Sequence, residues 1–248
     1  MFTVIIPARF ASERLPGKAL IDIAGKPMVQ HVYERACESS AKDVVVATDD
    51  ERIASVVRGM GGKVCMTAIH HPSGTDRLEE AARLLGLGAD DVVVNVQADE
   101  PLIPSVVINQ VADNLIRSGA RMATLCERIT DFADVLDPNI VKVVTSARGF
   151  AHYFSRAPIP FNRSRSQDVV NFEYQRHLGV YAYRVSMLRD FVGWAPSGPE
   201  LAERLEQLRA LWYGVDIHVA ESAVTIPPGI DTERDLARIR AILEPGHA

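Results

Sequence analysis

Short runs of β-branched residues alternate along the chain with longer stretches in which apolar positions recur every three or four residues. Residues 3–6, 44–48, 63–66 and 92–96 are rich in Val or Ile and bounded by polar residues or glycine, which predicts buried strands. Residues 28–39, 51–59 and 76–85 carry helical spacing, and Pro104 opens a further helix reaching about Leu115. Strands alternating with helices predict right-handed crossovers. The expected fold class is therefore α/β, with a doubly wound, mainly parallel, Rossmann-like sheet. After residue 120 the strand candidates crowd together, at 122–127, 141–145, 151–154 and 177–183, which predicts a small antiparallel insertion. A polar stretch, 162–168, reads as a mobile loop. Helices are expected at 186–192 and 200–211, a strand at 217–220, and a last helix over 233–243 capped by Asp231-Thr232.

Composition narrows the function classes more than the fold. The 248 residues are 47% hydrophobic and 24% charged, ordinary for a soluble globular chain. A net charge of -5 gives no global positive field for nucleic acid, although it leaves a small phosphorylated ligand open. Cys37, Cys65 and Cys126 form neither a CxxC nor a disulfide framework, which predicts a reducing, cytoplasmic setting. No signal-peptide core and no apolar run of membrane-spanning length is evident, so no membrane role is expected.

The candidate chemistry begins just after the first strand, with Pro7-Ala8-Arg9, then Ser12, Arg14 and Leu15-Pro16-Gly17-Lys18. Ligands of open α/β sheets bind beyond the carboxyl ends of strands, where this connection should lie. Three cations within ten residues suit a polyphosphate, with Ala, Ser and Gly between them to let backbone amides approach. A solvated basic loop has the same composition. Neither GxGxxG after the first strand nor GxxxxGK[ST] anywhere is present, which weakens dinucleotide oxidoreductase and P-loop readings. In Gln97-Ala98-Asp99-Glu100-Pro101, Asp99 follows a buried strand and suits Mg²⁺, or simply forms an acidic turn. Asp231 and the Ser73-Gly74-Thr75-Asp76-Arg77 segment both read as helix caps without any ligand. Arg156 stands among apolar neighbours and calls for an anion, either a ligand carboxylate or an internal partner. Alternation over 176–183 places His177, Gly179, Tyr181 and Tyr183 on one face. Glu206 and Gln207 lie on an amphipathic stretch, and His70-His71 lacks companions at zinc spacing.

Taken together, the run from Ile5 to Lys18 resembles the nucleotide-binding loop of CMP-sugar synthetases, and Gly25-Lys26-Pro27-Met28 and Val46-Ala47-Thr48-Asp49 fit the same pattern. From first strand to last helix the chain is similar to the 3-deoxy-manno-octulosonate (Kdo) cytidylyltransferases of that family. The resemblance implies a nucleotidyltransferase that joins CMP from CTP to the anomeric hydroxyl of Kdo and releases pyrophosphate, with Mg²⁺ as cofactor. It implies that Pro7, Ala8, Arg9, Ser12 and Lys18, together with Ser73, Gly74, Thr75 and Arg77, bind the nucleotide. Arg14 and Lys18 would serve the reaction centre, with Asp99 and Asp231 holding the metal. Gln97, Arg156, His177, Tyr181, Glu206 and Gln207 would contact the sugar. The family pattern is usually Gln-Gly-Asp-Glu-Pro, so Ala98 replaces a glycine, which matters if that position needs a positive φ.

The same resemblance implies a single domain over 1–248. Its nucleotide-binding part would span about 1–120 and its sugar-binding and dimerisation part about 121–230, with the last helix packing back on the core. It further implies a homodimer and a role in lipopolysaccharide synthesis in a Gram-negative bacterium. One rival is a cytidylyltransferase for another acidic sugar, of neuraminic-acid type or an amino-Kdo variant. A second is a non-catalytic nucleotide-binding protein, which paired metal carboxylates disfavour. The expected chemistry is in-line transfer resting on positioning and charge stabilisation, with no covalent nucleophile.

Overall fold

The computed structural model describes residues 1–11, 15–163 and 173–243. The chain runs β1 (Thr3–Ala8), a hairpin of β2 (Asp22–Ile23) and β3 (Lys26–Pro27), α1 (Met28–Cys37), β4 (Asp43–Thr48), α2 (Glu51–Gly59), β5 (Lys63–Met66), α3 (Gly74–Leu84), β6 (Val92–Asn95) and α4 (Ser105–Ser118). It continues through β7 (Met122–Arg128), α5 (Phe132–Leu136), β8 (Lys142–Thr145), β9 (Ala151–Ser155), β10 (Gln175–Arg184), α6 (Val185–Gly193), α7 (Gly198–Glu203), α8 (Gln207–Trp212), β11 (Ile217–Glu221) and α9 (Glu233–Leu243). One predicted element divides. The helix expected over 200–211 breaks into α7 and α8 because Arg204 takes a left-handed conformation, φ 53°, at the end of α7. Glu200 and Arg209 pair across the break at 2.5 Å and hold the two short helices together. Residues 164–168 of the predicted mobile loop lie outside the described residues.

The main sheet has the order β11-β7-β10-β6-β1-β4-β5. β1 pairs in parallel with both β4 and β6, β4 with β5, and β7 with β11, while β10 runs antiparallel between β6 and β7. β8 and β9 form the antiparallel extension, attached through β10. The valine runs of β4 and β6 are buried on both faces, as central strands under two helical layers require. Val4, Ile6, Val44 and Val94 pack toward α1, α2 and α4, whereas Ile5, Val45 and Val93 pack toward α3, α6 and α8. The sheet is thus doubly wound. From β1 the chain first builds outward through β4 and β5 and then returns to β6 on the other side. This reversal places a crevice at the carboxyl ends of β1 and β6. α9 closes over that end of the molecule, burying Leu236 and Ile239 with Leu15, Ile23, Met28 and Ile230. No described helix is long and apolar enough to cross a membrane.

The antiparallel extension is anchored by a residue that hydrophobic patterning cannot anticipate. Lys142 is fully buried, and its Nζ donates to the carbonyls of Asp137, Ile140 and Arg156 at 2.9, 2.6 and 2.7 Å. Three carbonyls match the three N–H donors of an ammonium group. Lys142→Met is expected to destabilise the fold by about 2–4 kcal/mol, because three inward-facing acceptors lose a charged donor. Urea unfolding measures it, and a loss within the error of the extrapolation would show that water replaces the lysine.

Candidate active site

Lys18 and two distant carboxylates meet at the crevice. Gly17 has φ 67°, and a Cβ there would stand 3.1 Å from the Phe10 ring, so glycine lets the loop after β1 fold on itself. Lys18 then starts a short 3₁₀ turn. Its Nζ lies 2.6 Å from Asp99 Oδ2 and 3.0 Å from Asp231 Oδ1. Asp99 sits in the turn after β6, closed by Glu100 N–H donating to the Gln97 carbonyl. The Ile230 N–H donates to the Asp99 carbonyl at 2.9 Å, and a Cβ on Gly229 would stand 3.1 Å from that carbonyl. Residues 229–230 therefore dock on the turn and deliver Asp231. The expected cap of α9 divides between its two residues: Thr232 exchanges hydrogen bonds with Asp235, while the Asp231 carboxylate turns to Lys18.

A cavity of about 380 Å³ opens over this cluster, lined by Pro7, Arg9, Lys18, Gln97, Ala98, Asp99 and Asp231 on one side and by His71, Ser73, Gly74 and Arg77 on the other. Ala8 points its side chain into the core. Ser12 and Arg14 lie outside the described residues. Ser73 caps α3 by accepting from Asp76 N–H, as its sequence predicts. The buried Arg77 guanidinium reaches Thr67 Oγ1 at 2.5 Å and Asp49 Oδ2 at 3.3 Å, tying the ends of β4 and β5 to the cavity wall. His71 lies 2.6 Å from Glu80 on α3, a pairing that the sequence does not signal. Ala98 does not have a positive φ; among the described non-glycine residues Ala24 and Arg204 do, so alanine costs no backbone strain at 98.

Gln97 also lines a second cavity, of about 230 Å³, with Thr75, His177, Gly179, Tyr181, Tyr183, Glu206 and Gln207. The alternating face of β10 thus opens onto one space. Thr75 Oγ1 donates to Glu206 Oε2 at 2.7 Å, joining the start of α3 to that of α8. Burial and the nearby Glu206 carboxylate push both tyrosine pKa values upward, so both phenols remain O–H donors at neutral pH. Burial pulls His177 down to about 3 and keeps its ring uncharged. Gln207 is buried rather than a solvated helix residue. Arg156 lines neither cavity: its Nε donates to the Glu203 carbonyl at 2.7 Å and Nη1 to the Pro138 carbonyl at 2.8 Å. Its guanidinium thus meets backbone oxygens, while its backbone N–H donates to the Glu203 carboxylate at 2.9 Å, and the residue braces the corner at the end of α7.

Among the described residues, no group of three or more His, Cys, Asp and Glu side chains is arranged to hold a metal. Asp99 and Asp231 form a two-carboxylate set, which is enough for magnesium when a nucleotide's phosphates complete its shell. The Lys18 ammonium, bridging both carboxylates, is a stand-in for such a cation.

Comparison with known proteins reaches the whole chain. The family described as Cytidylyltransferase matches residues 3–217. A 3-deoxy-manno-octulosonate cytidylyltransferase of Marinobacter nauticus is 59% identical, over 100% of this chain and 98% of that protein. One of Hahella chejuensis is 56% identical over 98% and 97%. A solved structure of CMP:2-keto-3-deoxy-manno-octonic acid synthetase complexed with CTP aligns with a TM-score of 0.91 at 42% identity, covering 99% of each chain.

Proposed function

The chain belongs to the cytidylyltransferase family, and on that footing we propose that it transfers CMP from CTP to the anomeric hydroxyl of Kdo, giving CMP-Kdo and pyrophosphate. The observation that carries this reading is one continuous arrangement. A polar cavity holds Lys18, Asp99 and Asp231, and through Gln97 it adjoins a second cavity rich in hydroxyl, imidazole and carboxylate groups. Two substrates placed in these cavities would meet beside the charged cluster.

In this reading the first cavity takes CTP. Arg9 and Lys18 neutralise phosphate charge, with Ser12 and Arg14 assigned by the family motif. Pro7 and Ala8 contribute backbone, while Ser73, Gly74 and Arg77 form the wall that receives the base, and Thr75, assigned to the nucleotide by the family motif, lines the second cavity. Asp99 and Asp231 would hold Mg²⁺, which supplies positive charge against the triphosphate and the developing negative charge of transfer. The second cavity takes Kdo, with Tyr181 as a donor, Gln97 and Gln207 as amide partners, and Glu206 as an acceptor already oriented by Thr75. Arg156, which the family motif assigns to the sugar, is tied to the end of α7 through the Glu203 carbonyl. The anomeric oxygen forms its bond to the α-phosphorus as the bond to pyrophosphate breaks, and the chain's contribution is alignment and charge. The homodimer, the cytoplasmic setting and a part in lipopolysaccharide synthesis belong to the same proposal and rest on likeness to the family.

Pyrophosphate release from CTP decides the reading, measured with Kdo, an amino-Kdo variant and a neuraminic acid, with and without Mg²⁺. Turnover is expected with Kdo and the divalent ion, at a kcat/KM at least about tenfold above the other acids, the discrimination a few lost hydrogen bonds provide. Preference for another acid would reassign the sugar while leaving the reaction class in place.

A further inference from the structure

The second cavity has a buried residue behind it that the reaction scheme does not use. Thr124 on β7 is 0% exposed and lines neither cavity. Opposite it, β10 slips register: Leu178 pairs with Leu125 but Tyr181 with Thr124, leaving Gly179 and Val180 bulged. The Thr124 hydroxyl sits inside the bulge, 2.9 Å from the Leu178 carbonyl, 2.8 Å from the Val180 carbonyl and 3.1 Å from His177 Nε2.

Counting protons settles the arrangement. The hydroxyl has one hydrogen, and both carbonyls can only accept. An oxygen held this close to two carbonyl oxygens must turn its hydrogen toward them. The lone pairs then face His177 Nε2, and that contact is attractive only if Nε2 carries the ring proton. Nδ1 is left with a lone pair, and none of the described residues hydrogen-bonds it. The ring itself lines the second cavity, held edge-on by Phe154 at 5.1 Å and against Tyr181 at 5.3 Å. Its neutrality follows from burial, so the lone pair is present across the physiological range.

We propose that Thr124 is a positioning residue that fixes the tautomer of His177, presenting Nδ1 as a hydrogen-bond acceptor to a hydroxyl of the sugar. The choice of acceptor has a chemical consequence. Tyr181 and Tyr183 offer donors to the same cavity, so an Nδ1 acceptor balances them and selects a ligand hydroxyl rather than another oxygen that can only accept. It also gives His177 a recognition role instead of proton abstraction.

The proposal rests on reading this cavity as the sugar site, but its first test does not. ¹⁵N-histidine NMR on the full chain at neutral pH is expected to show a protonated Nε2 and a bare Nδ1 for His177, identified by its loss in His177→Asn. A protonated Nδ1 would overturn the proposal whatever the cavity binds. In Thr124→Val the tautomer preference is expected to weaken and KM for the sugar to rise roughly three- to tenfold, the worth of one neutral hydrogen bond. KM for CTP should stay within twofold, and Thr124→Ser should restore both signals. An unchanged tautomer in Thr124→Val, or failure of Thr124→Ser to rescue, would also sink the idea. If the NMR result holds and no sugar acid is turned over, the tautomer assignment survives and the functional reading fails.

Discussion

Asp99→Asn is expected to lower turnover at saturating CTP and Kdo by about a thousandfold, the scale set by losing several kcal/mol of charge stabilisation around a transferring phosphoryl group. Asparagine keeps the shape of the turn after β6 and its carbonyl, so the docking of Ile230 should survive. Global stability should barely change. The Lys18 and Asp99 side chains are 14% and 33% exposed, and Lys18 retains Asp231 as a partner. The decisive measurements are single-turnover pyrophosphate release alongside divalent-ion affinity in the presence of CTP. Both should fall together while the urea midpoint stays put. Turnover within tenfold of the parent, with its magnesium dependence intact, would remove Asp99 from the metal site.

Lys18→Met carries the second large effect, and its signature differs. Without nucleotide, the ammonium occupies the space between Asp99 and Asp231 and competes with any cation for it. Removing it should tighten Mn²⁺ binding to the nucleotide-free protein, since two facing carboxylates both lose a counter-charge at hydrogen-bond distance. Catalysis should nonetheless fall by roughly 10²–10³ in kcat/KM, as for other groups that stabilise charge at a reacting centre. The two variants therefore move divalent affinity in opposite directions while both lose turnover. A merely structural salt bridge would show neither trend, and weaker Mn²⁺ binding in Lys18→Met would contradict the competition.

The two halves of the chain were unequally legible. Strands such as β4 and β6 are continuous valine runs, a signal that needs no knowledge of partners, and their flanking helices carry caps such as Asp50 and Ser73. The division between α7 and α8 was hidden because its left-handed residue is Arg204, and arginine announces no helix end. The hairpin of β2 and β3 is too short for periodicity to register. Within the site, the cation-rich loop and the acidic turn were visible as chemistry. Their meeting was not, because 132 positions separate Asp99 from Asp231 and backbone docking at 229–230 brings them together. Capping explained Asp231 equally well until Thr232 proved to do that work. Lys142, Thr124 and the His71–Glu80 pair left no pattern, since each depends on where folding places particular carbonyls or a carboxylate around the side chain.

The contact between Lys18 and Asp231, 213 positions apart, also bears on how the protein is made. A ribosome adding 5–20 residues per second needs roughly 10–40 s to travel from one to the other. During that interval the emerging chain exposes the cation-rich loop after β1 and then the strands and helices that follow, but it lacks the second carboxylate. A chain cut after β11 would contain every strand of the main sheet, yet neither Asp231 nor the helix that seals the loop beneath it. On the proposed role of Asp231, transfer waits until that residue has been made, and a fragment that stops at β11 cannot consume nucleotide.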